Sequence, residues 1–92
     1  MRTSEGLDNR RRRILYRAWH RGTREMDLIL GPFCDACLSE LAGSELDDLE
    51  TLMETRDTTL FAWIIGTEPV PDEHNHTLFQ RLVAFHRDQP IE

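Results

Sequence analysis

The chain has 92 residues and a formal net charge of -6, with 17 acidic against 11 basic residues. A chain this short buries only about 60–65% of the surface that it exposes when unfolded, so a deep substrate cavity would remove much of its core. Its acidic balance disfavours a general nucleic-acid binder, because phosphate contacts need a positive surface. The sequence has no apolar run of membrane-spanning length and no disulfide framework, and we expect a cytoplasmic protein that does not insert into membranes.

Every basic residue is an arginine, and most arginines lie in the first quarter of the chain. Arg10 to Arg13 form a run of four, for which two interpretations stay open. The run is either the solvated start of a helix or a surface that steers an acidic partner, and both are favoured over a nucleic-acid contact because the rest of the chain is acidic. Most acidic residues follow this segment, so the chain can present one basic face to a partner while it stays soluble.

Glycine, proline and capping residues divide the chain into helical patterns. The first pattern runs from Leu7 to Arg21, and Gly22 is expected to be its C-terminal cap. Thr23 is the expected N-cap of a second helix. Because proline removes a backbone donor, we expect a kink or a break at Gly31-Pro32, after which the apolar pattern continues to about Leu41.

Three more helical patterns follow in the second half of the chain. Ser44 is expected to cap the third helix, and the fourth begins at Asp57 or Thr58 and ends at Gly66. An extended proline-containing connector comes next, because each proline disfavours helix in the residue before it. Asp72 is the expected cap of the fifth helix.

The sequence shows no alternating strand pattern. Five short helices with tight connections predict an all-α fold in the form of a compact five-helix bundle. We expect a single domain over residues 1–92, with an ordered core at about residues 8–87 and short flexible termini.

The segment from Arg21 to Glu25 connects the first two predicted helices, and two interpretations apply to it. An arginine, a glycine, an N-cap threonine and a glutamate in the first helical turn suit a tight helix connection for structural reasons alone. The same residues would also present a cation, an anion and free backbone amides in a small exposed space. Such a group can pair with charges on a partner.

This segment also carries a resemblance to a known family. Arg21, Gly22 and Glu25 form an Arg-Gly-x-x-Glu pattern that resembles the signature of the succinate dehydrogenase assembly factors that promote flavinylation. The resemblance covers roughly residues 10–87. Other segments similar to the family occur in the same order, namely Ile14-Leu15-Tyr16, Arg24-Glu25-Met26-Asp27, Pro32-Phe33, Leu60-Phe61-x-Trp63 and Pro69-x-Pro71.

The resemblance implies a small five-helix protein that binds the flavoprotein subunit of succinate dehydrogenase and, in bacteria, also that of fumarate reductase. It implies that the protein assists covalent attachment of FAD to a histidine of that subunit. The FAD then belongs to the flavoprotein subunit, which is the client of the assembly factor. This chain is therefore expected to hold no cofactor stably and not to be an enzyme. The resemblance places Arg21, Gly22 and Glu25 at the client, with Tyr16 and Arg17 as further candidates on the first helix. We expect a monomer with no nucleic-acid partner.

Two alternatives belong to other classes of protein. The first is an antitoxin-like or adaptor protein that binds another client through the basic face. The second is a metal or redox module at Cys34 and Cys37, which His74 and His76 could complete. The chain has no second cysteine pair for a structural zinc site, and no strand precedes the cysteines as in thioredoxin-like proteins. We therefore expect both cysteines to be small core residues.

Overall fold

A computed structural model describes residues 6–88, which are mostly helical and include no strand. The predicted all-α class is therefore confirmed. The helical elements are α1 (Asn9–Ala18), α2 (Arg24–Cys37), a 3-10 helix (Leu38–Glu40), α3 (Gly43–Met53), α4 (Asp57–Ile65), a second 3-10 helix (Asp72–His74) and α5 (Thr77–Asp88).

The helices belong to two compact units that meet in sequence between Leu41 and Ala42. The first unit holds α1 and α2, and the second holds α3, α4 and α5. A single domain over residues 1–92 stays a prediction, and the expected flexible termini lie mostly outside the described residues. Within residues 6–88, every helix is too short or too polar to cross a membrane.

α1 begins directly after Asp8, whose side chain accepts a hydrogen bond from the Arg11 backbone N–H at 2.8 Å. Ile14, Leu15 and Ala18 lie on one face of the helix and are buried. The helix ends at Ala18, so the prediction that it would reach residue 21 was wrong. Helical spacing alone gave no sign of the contact that the next residue makes with α2.

That contact is the packing of Trp19 against Gly31 of α2. A Cβ atom on residue 31 would overlap the Trp19 indole and would lie 2.7 Å from its Cζ2 atom. The indole Nε1 also lies 3.5 Å from Oδ1 of Asp35. Glycine is therefore required at position 31 for the two helices to approach as closely as they do.

α2 continues through Pro32 to Cys37, so the predicted break at Gly31-Pro32 was wrong. A proline in a helix interior costs about 3 kcal/mol. Phe33 and Cys34 follow it directly and are both buried. Full burial of a side chain such as Phe33 contributes about 1.5–3 kcal/mol, which is enough to offset most of the cost of the proline.

Arg11 connects α1 to the 3-10 helix that follows α2. Its Nε donates to the Leu38 carbonyl oxygen at 3.0 Å, and its Nη2 donates to the Leu41 carbonyl oxygen at 2.5 Å. Its Nη1 pairs with Asp8 at 2.7 Å. Carbonyl groups at the end of a helix attract cations. The Arg11 guanidinium therefore binds the backbone at the C-terminal end of the first unit.

In the second unit, α3 begins at Gly43 with Ala42 as its N-cap, so the predicted cap at Ser44 was wrong. The Ala42 backbone N–H donates to Glu45 Oε1 at 2.9 Å. Arg81 of α5 donates to the other carboxylate oxygen of Glu45 at 3.3 Å. Glu45 therefore accepts hydrogen bonds both from the backbone at the start of α3 and from an arginine of α5.

α4 ends at Gly66, which has a φ of +87° and caps the helix as predicted. α5 does not follow Asp72, which lies in a 3-10 helix, but begins at Thr77. His76 precedes it, and its Nδ1 accepts a hydrogen bond from the Phe79 backbone N–H at 3.1 Å. Asp72 was predicted to cap α5, but the His76 ring accepts the hydrogen bond from a backbone N–H in the first turn of this helix instead.

Candidate functional site

The connection between α1 and α2, residues 19–23, carries the predicted signature residues. Gly22 is exposed and has a φ of +110°, in the left-handed region that glycine reaches without strain. It gives the chain the turn toward Arg24. The C-cap of α1 is Trp19, however, so the prediction that Gly22 caps this helix was wrong.

Hydrogen bonds within the first unit hold the backbone of this connection. The Arg21 backbone N–H donates to Asp27 Oδ1 at 2.6 Å. Thr23 is the N-cap of α2, as predicted, and accepts from the Met26 backbone N–H at 3.4 Å. Glu25 and Asp27 both lie in the first turn of α2, where the helix dipole favours negative charge. The connection is therefore ordered by its own chain.

The charged residues of the signature lie at the surface. Glu25 is exposed and Arg21 is half-buried, and Gly22 between them is exposed. A guanidinium and a carboxylate sealed in the interior could not contact another protein. The observed exposure meets this requirement for a binding site, and the binding role of these residues stays a prediction.

Tyr16 and His20 form an exposed aromatic pair beside the connection. Tyr16 is 62% exposed. The two rings stack with centroids 4.0 Å apart and planes inclined by 19°. With its proton on Nδ1, His20 also donates to the Tyr16 carbonyl oxygen over 2.7 Å. The sequence analysis missed His20, although its position four residues after Tyr16 is the spacing that brings two side chains together on a helix.

The run of arginines on α1 divides into two structural classes. Arg11 binds backbone carbonyl oxygens within the first unit, as described above. Arg12 and Arg13 are exposed, and so is the candidate Arg17 one turn later. The interpretation as a purely solvated helix start is therefore wrong for Arg11, and the interpretation as a steering surface applies only to the exposed members.

A family model described as flavinator of succinate dehydrogenase matches residues 12–86. The chain belongs to this family. The matched range includes the whole connection between α1 and α2, together with Tyr16 and His20. The resemblance inferred from the Arg-Gly-x-x-Glu pattern is therefore confirmed.

Individual relatives agree with this family. The chain is 38% identical to the FAD assembly factor SdhE of Acetobacter pasteurianus over 86% of this chain and 72% of that protein. It is 33% identical to the mitochondrial succinate dehydrogenase assembly factor 2 of Mycosarcoma maydis, over 95% of this chain and 39% of that protein. For the protein of the same name from Saccharomyces cerevisiae, the identity is 32% over 99% of this chain and 59% of that protein. No solved structure matches the chain.

The chain therefore spans less than two thirds of the length of these two mitochondrial relatives. Both the family and the relatives' names favour the flavinator interpretation over the alternative of an antitoxin-like or adaptor protein.

The two cysteines of this flavinator family member are free thiols. Cys34 is buried, as predicted, and burial raises the pKa of its thiol to about 12. A thiol with so high a pKa is a poor nucleophile, because the thiolate is the reactive form. Cys37 is only half-buried, so its expected place in the core was wrong.

The two histidines proposed as further metal ligands have other neighbours. His76 binds the start of α5 through Nδ1. His74 packs its ring against Trp63, with centroids 5.3 Å apart, and its Nε2 lies 3.6 Å from a Glu73 carboxylate oxygen. Within residues 6–88, no three His, Cys, Asp or Glu side chains are grouped so that they could hold a metal ion.

Proposed function

We propose that this chain binds the flavoprotein subunit of succinate dehydrogenase through the connection between α1 and α2 and thereby promotes covalent attachment of FAD to that subunit. The observation that carries the proposal is the signature at the surface, with Gly22 and Glu25 exposed and Arg21 half-buried, in a chain of the flavinator family. The hydrogen bonds of Asp27 and Thr23 fix the backbone beneath these side chains. A surface that is ordered before binding loses less conformational entropy when the complex forms.

The three signature residues have different roles in this proposal. Arg21 offers a planar guanidinium that can form two parallel hydrogen bonds to a carboxylate of the client. Glu25, four residues later, accepts hydrogen bonds from donors of the client. Gly22 has no side chain, so the client backbone can approach the turn between them.

The chain acts by conformational selection and does not take part in bond formation. A binder shifts a conformational equilibrium only by its difference in affinity for the two states. We propose that the connection binds more tightly to the conformation of the client in which the flavin and its acceptor histidine are correctly placed. The bond-forming chemistry belongs to the client and its flavin, and in this sense the chain is not an enzyme.

A groove in the second unit supports the proposal that FAD stays with the client. Its walls combine the side chains of Trp63, Phe79 and Val83 with the neutral polar side chains of Asn75 and Gln80. It borders the C-terminal end of α4, whose carbonyl dipoles disfavour a phosphate group. Arg87 is the one cationic residue among the described residues that line it. A dinucleotide with a charged pyrophosphate is therefore a poor match for this groove.

The wider setting follows from the same proposal. We infer that the chain works as a monomer in the cytoplasm, where the bacterial flavoprotein subunit would meet its cofactor. The flavoprotein subunit of fumarate reductase is a second client in this proposal. Nucleic acid has no part in it.

The experiment is a flavinylation assay with purified components. The apo flavoprotein subunit is mixed with FAD and this chain, denatured, and examined for flavin fluorescence that stays on the subunit. Arg21→Ala and Glu25→Ala are expected to lower the rate of flavinylation about tenfold or more, as residues at the centre of an interface do. Arg56→Ala, an exposed arginine of the second unit, is the matched control and should leave the rate unchanged.

Circular dichroism melts of the three variants separate loss of binding from loss of folding. If the wild-type chain gives no more bound flavin than a reaction without it, the proposed function is wrong. If it does, but the two signature variants behave like the control, the site is elsewhere on the chain.

A further inference from the structure

The outward side of α1 forms a surface that extends beyond the signature. On α1, Arg12 and Tyr16 lie four residues apart, and Arg13 and Arg17 form a second row at the same spacing. His20, two residues beyond the end of α1, stacks on Tyr16. Residues four apart on a helix are neighbours on its surface. All five residues are exposed, whereas the opposite side of the helix is buried. We name these five residues the outer face of α1.

The outer face carries positive charge that no carboxylate within residues 6–41 pairs with. α1 contains no carboxylate, and the Asp8 carboxylate before it is bound to Arg11 on another side of the helix. Among the described residues, none forms a hydrogen bond or an ion pair with the side chain of Arg12, Arg13 or Arg17. Arginines four residues apart repel each other and weaken a helix slightly. Anions of a partner that approach these arginines would relieve this repulsion.

The centre of the outer face is aromatic. Tyr16 is one of the few large apolar side chains that the described residues expose, and the His20 ring covers one side of it. The hydrogen bond from His20 to the Tyr16 carbonyl oxygen fixes this ring against the end of the helix. An exposed tyrosine that stacks on a histidine ring among arginines has the composition of an interface centre, where tyrosine and arginine are enriched.

We propose that the outer face of α1 docks an acidic segment of the client protein, with a flat or apolar side chain of that segment against Tyr16. This inference rests on the proposed function and adds the chemistry of the contacting client surface. Arginine forks bind carboxylates in pairs of hydrogen bonds, and long-range attraction speeds the encounter. His20 is a positioning residue, because it acts through the ring of Tyr16.

The charge of the second unit favours a protein segment over a nucleic acid. That unit carries ten carboxylates against three arginines within residues 42–88. Negative charge of this size opposes the binding of a long polyphosphate chain, whose affinity depends on cationic side chains. A short acidic segment of a folded protein can contact two helical turns and end there.

The test measures binding kinetics between this chain and the purified apo flavoprotein subunit. The variant is Arg13→Glu/Arg17→Glu, and the matched control is Arg56→Glu/Arg87→Glu, which makes the same change of net charge with exposed arginines of the second unit. The association rate of the first variant is expected to fall about tenfold or more relative to wild type at low salt. The difference should shrink at about 0.5 M salt, because ions screen such attraction. An equal loss in both variants would overturn the proposal.

A second set of variants tests the aromatic centre. Tyr16→Ala and His20→Ala are expected to increase the dissociation rate, whereas His20→Phe keeps a stacked ring and should restore slow dissociation. The double variant Tyr16→Ala/His20→Ala should dissociate no faster than Tyr16→Ala alone, because His20 acts through Tyr16. Additive losses would show that His20 does not position Tyr16.

The same measurements distinguish this inference from the proposed function. If wild-type chain neither binds the subunit nor promotes flavinylation, both fail. If it does both and the charge reversals change nothing, only the inference about the outer face fails. A single-stranded oligonucleotide that binds as tightly as the subunit and displaces it would assign the outer face to nucleic acid and overturn the proposal.

Discussion

The two units of this chain are both helical, but they use charge in different ways. The first unit has seven arginines and five carboxylates within residues 6–41, whereas the second has three arginines and ten carboxylates within residues 42–88. In the second unit, Arg81 is bound to Glu45 of another helix. In the first unit, Arg11 of α1 binds carbonyl oxygens of its own unit, whereas Arg12, Arg13 and Arg17 are exposed. The position of an arginine on the helix surface, more than its place in a run, decides its role.

The largest expected effect concerns the glycines of the two units. Gly31→Ala should lower the free energy of unfolding by about 1–3 kcal/mol, because the new Cβ overlaps the Trp19 ring in a packed interior. Gly43→Ala at the start of α3 meets nothing within 4 Å and should raise stability by at most about 1 kcal/mol. Urea unfolding followed by circular dichroism measures both. Equal stability of the two variants would show that the contact between Gly31 and Trp19 does not make the first unit more sensitive to substitution than the second.

A smaller effect is expected from two adjacent arginines. Arg11→Met should lower the free energy of unfolding by about 0.5–1.5 kcal/mol, since it removes hydrogen bonds to the part-buried carbonyl oxygens of Leu38 and Leu41. Arg12→Met removes an exposed charge and should change it by less than about 0.5 kcal/mol. The same urea titration compares them. Similar losses would mean that the division of the run into structural and exposed members is wrong.

The smallest effect is a pH dependence at Asp8. The Arg11 backbone N–H that donates to this carboxylate lowers its pKa below the ordinary value of 3.8. The ionised form is therefore favoured in the folded state, and its contribution is present above about pH 3.8 and lost as the pH falls through the lower folded value. The stability difference between wild type and Asp8→Asn should shrink over that range. Urea midpoints measured at about pH 6 and about pH 3 check this, and a constant difference would contradict it.

The sequence predicted the helical class and several boundaries because these depend on local chemistry. Thr23 caps the start of α2 with its side chain, and Gly66 ends α4 in the left-handed conformation. The predicted caps at Ser44 and Asp72 failed for a different reason. Glu45 is held by Arg81, far along the chain, and His76 supplies the acceptor that starts α5. Neither partner can be identified from local patterns.

The candidate site was predictable in part. The pattern of Arg21, Gly22 and Glu25 is local, and so its position on a helix connection followed from the sequence. The stacking of His20 on Tyr16 was missed, although the sequence contains the four-residue spacing that brings two side chains together on a helix. The different roles of Arg11 and Arg12 depend on where the end of α2 lies in space, which no spacing rule gives.

The fit of Trp19 on Gly31 has a consequence for recognition. Because the indole occupies the space beside position 31, the first helix stops where it does and the turn that follows carries the signature outward. A residue larger than glycine at position 31 would have to displace this indole, and the displacement would act on the connection at residues 19–23. We therefore expect a substitution at this buried position to lower the affinity for the partner protein as well as the stability of the chain.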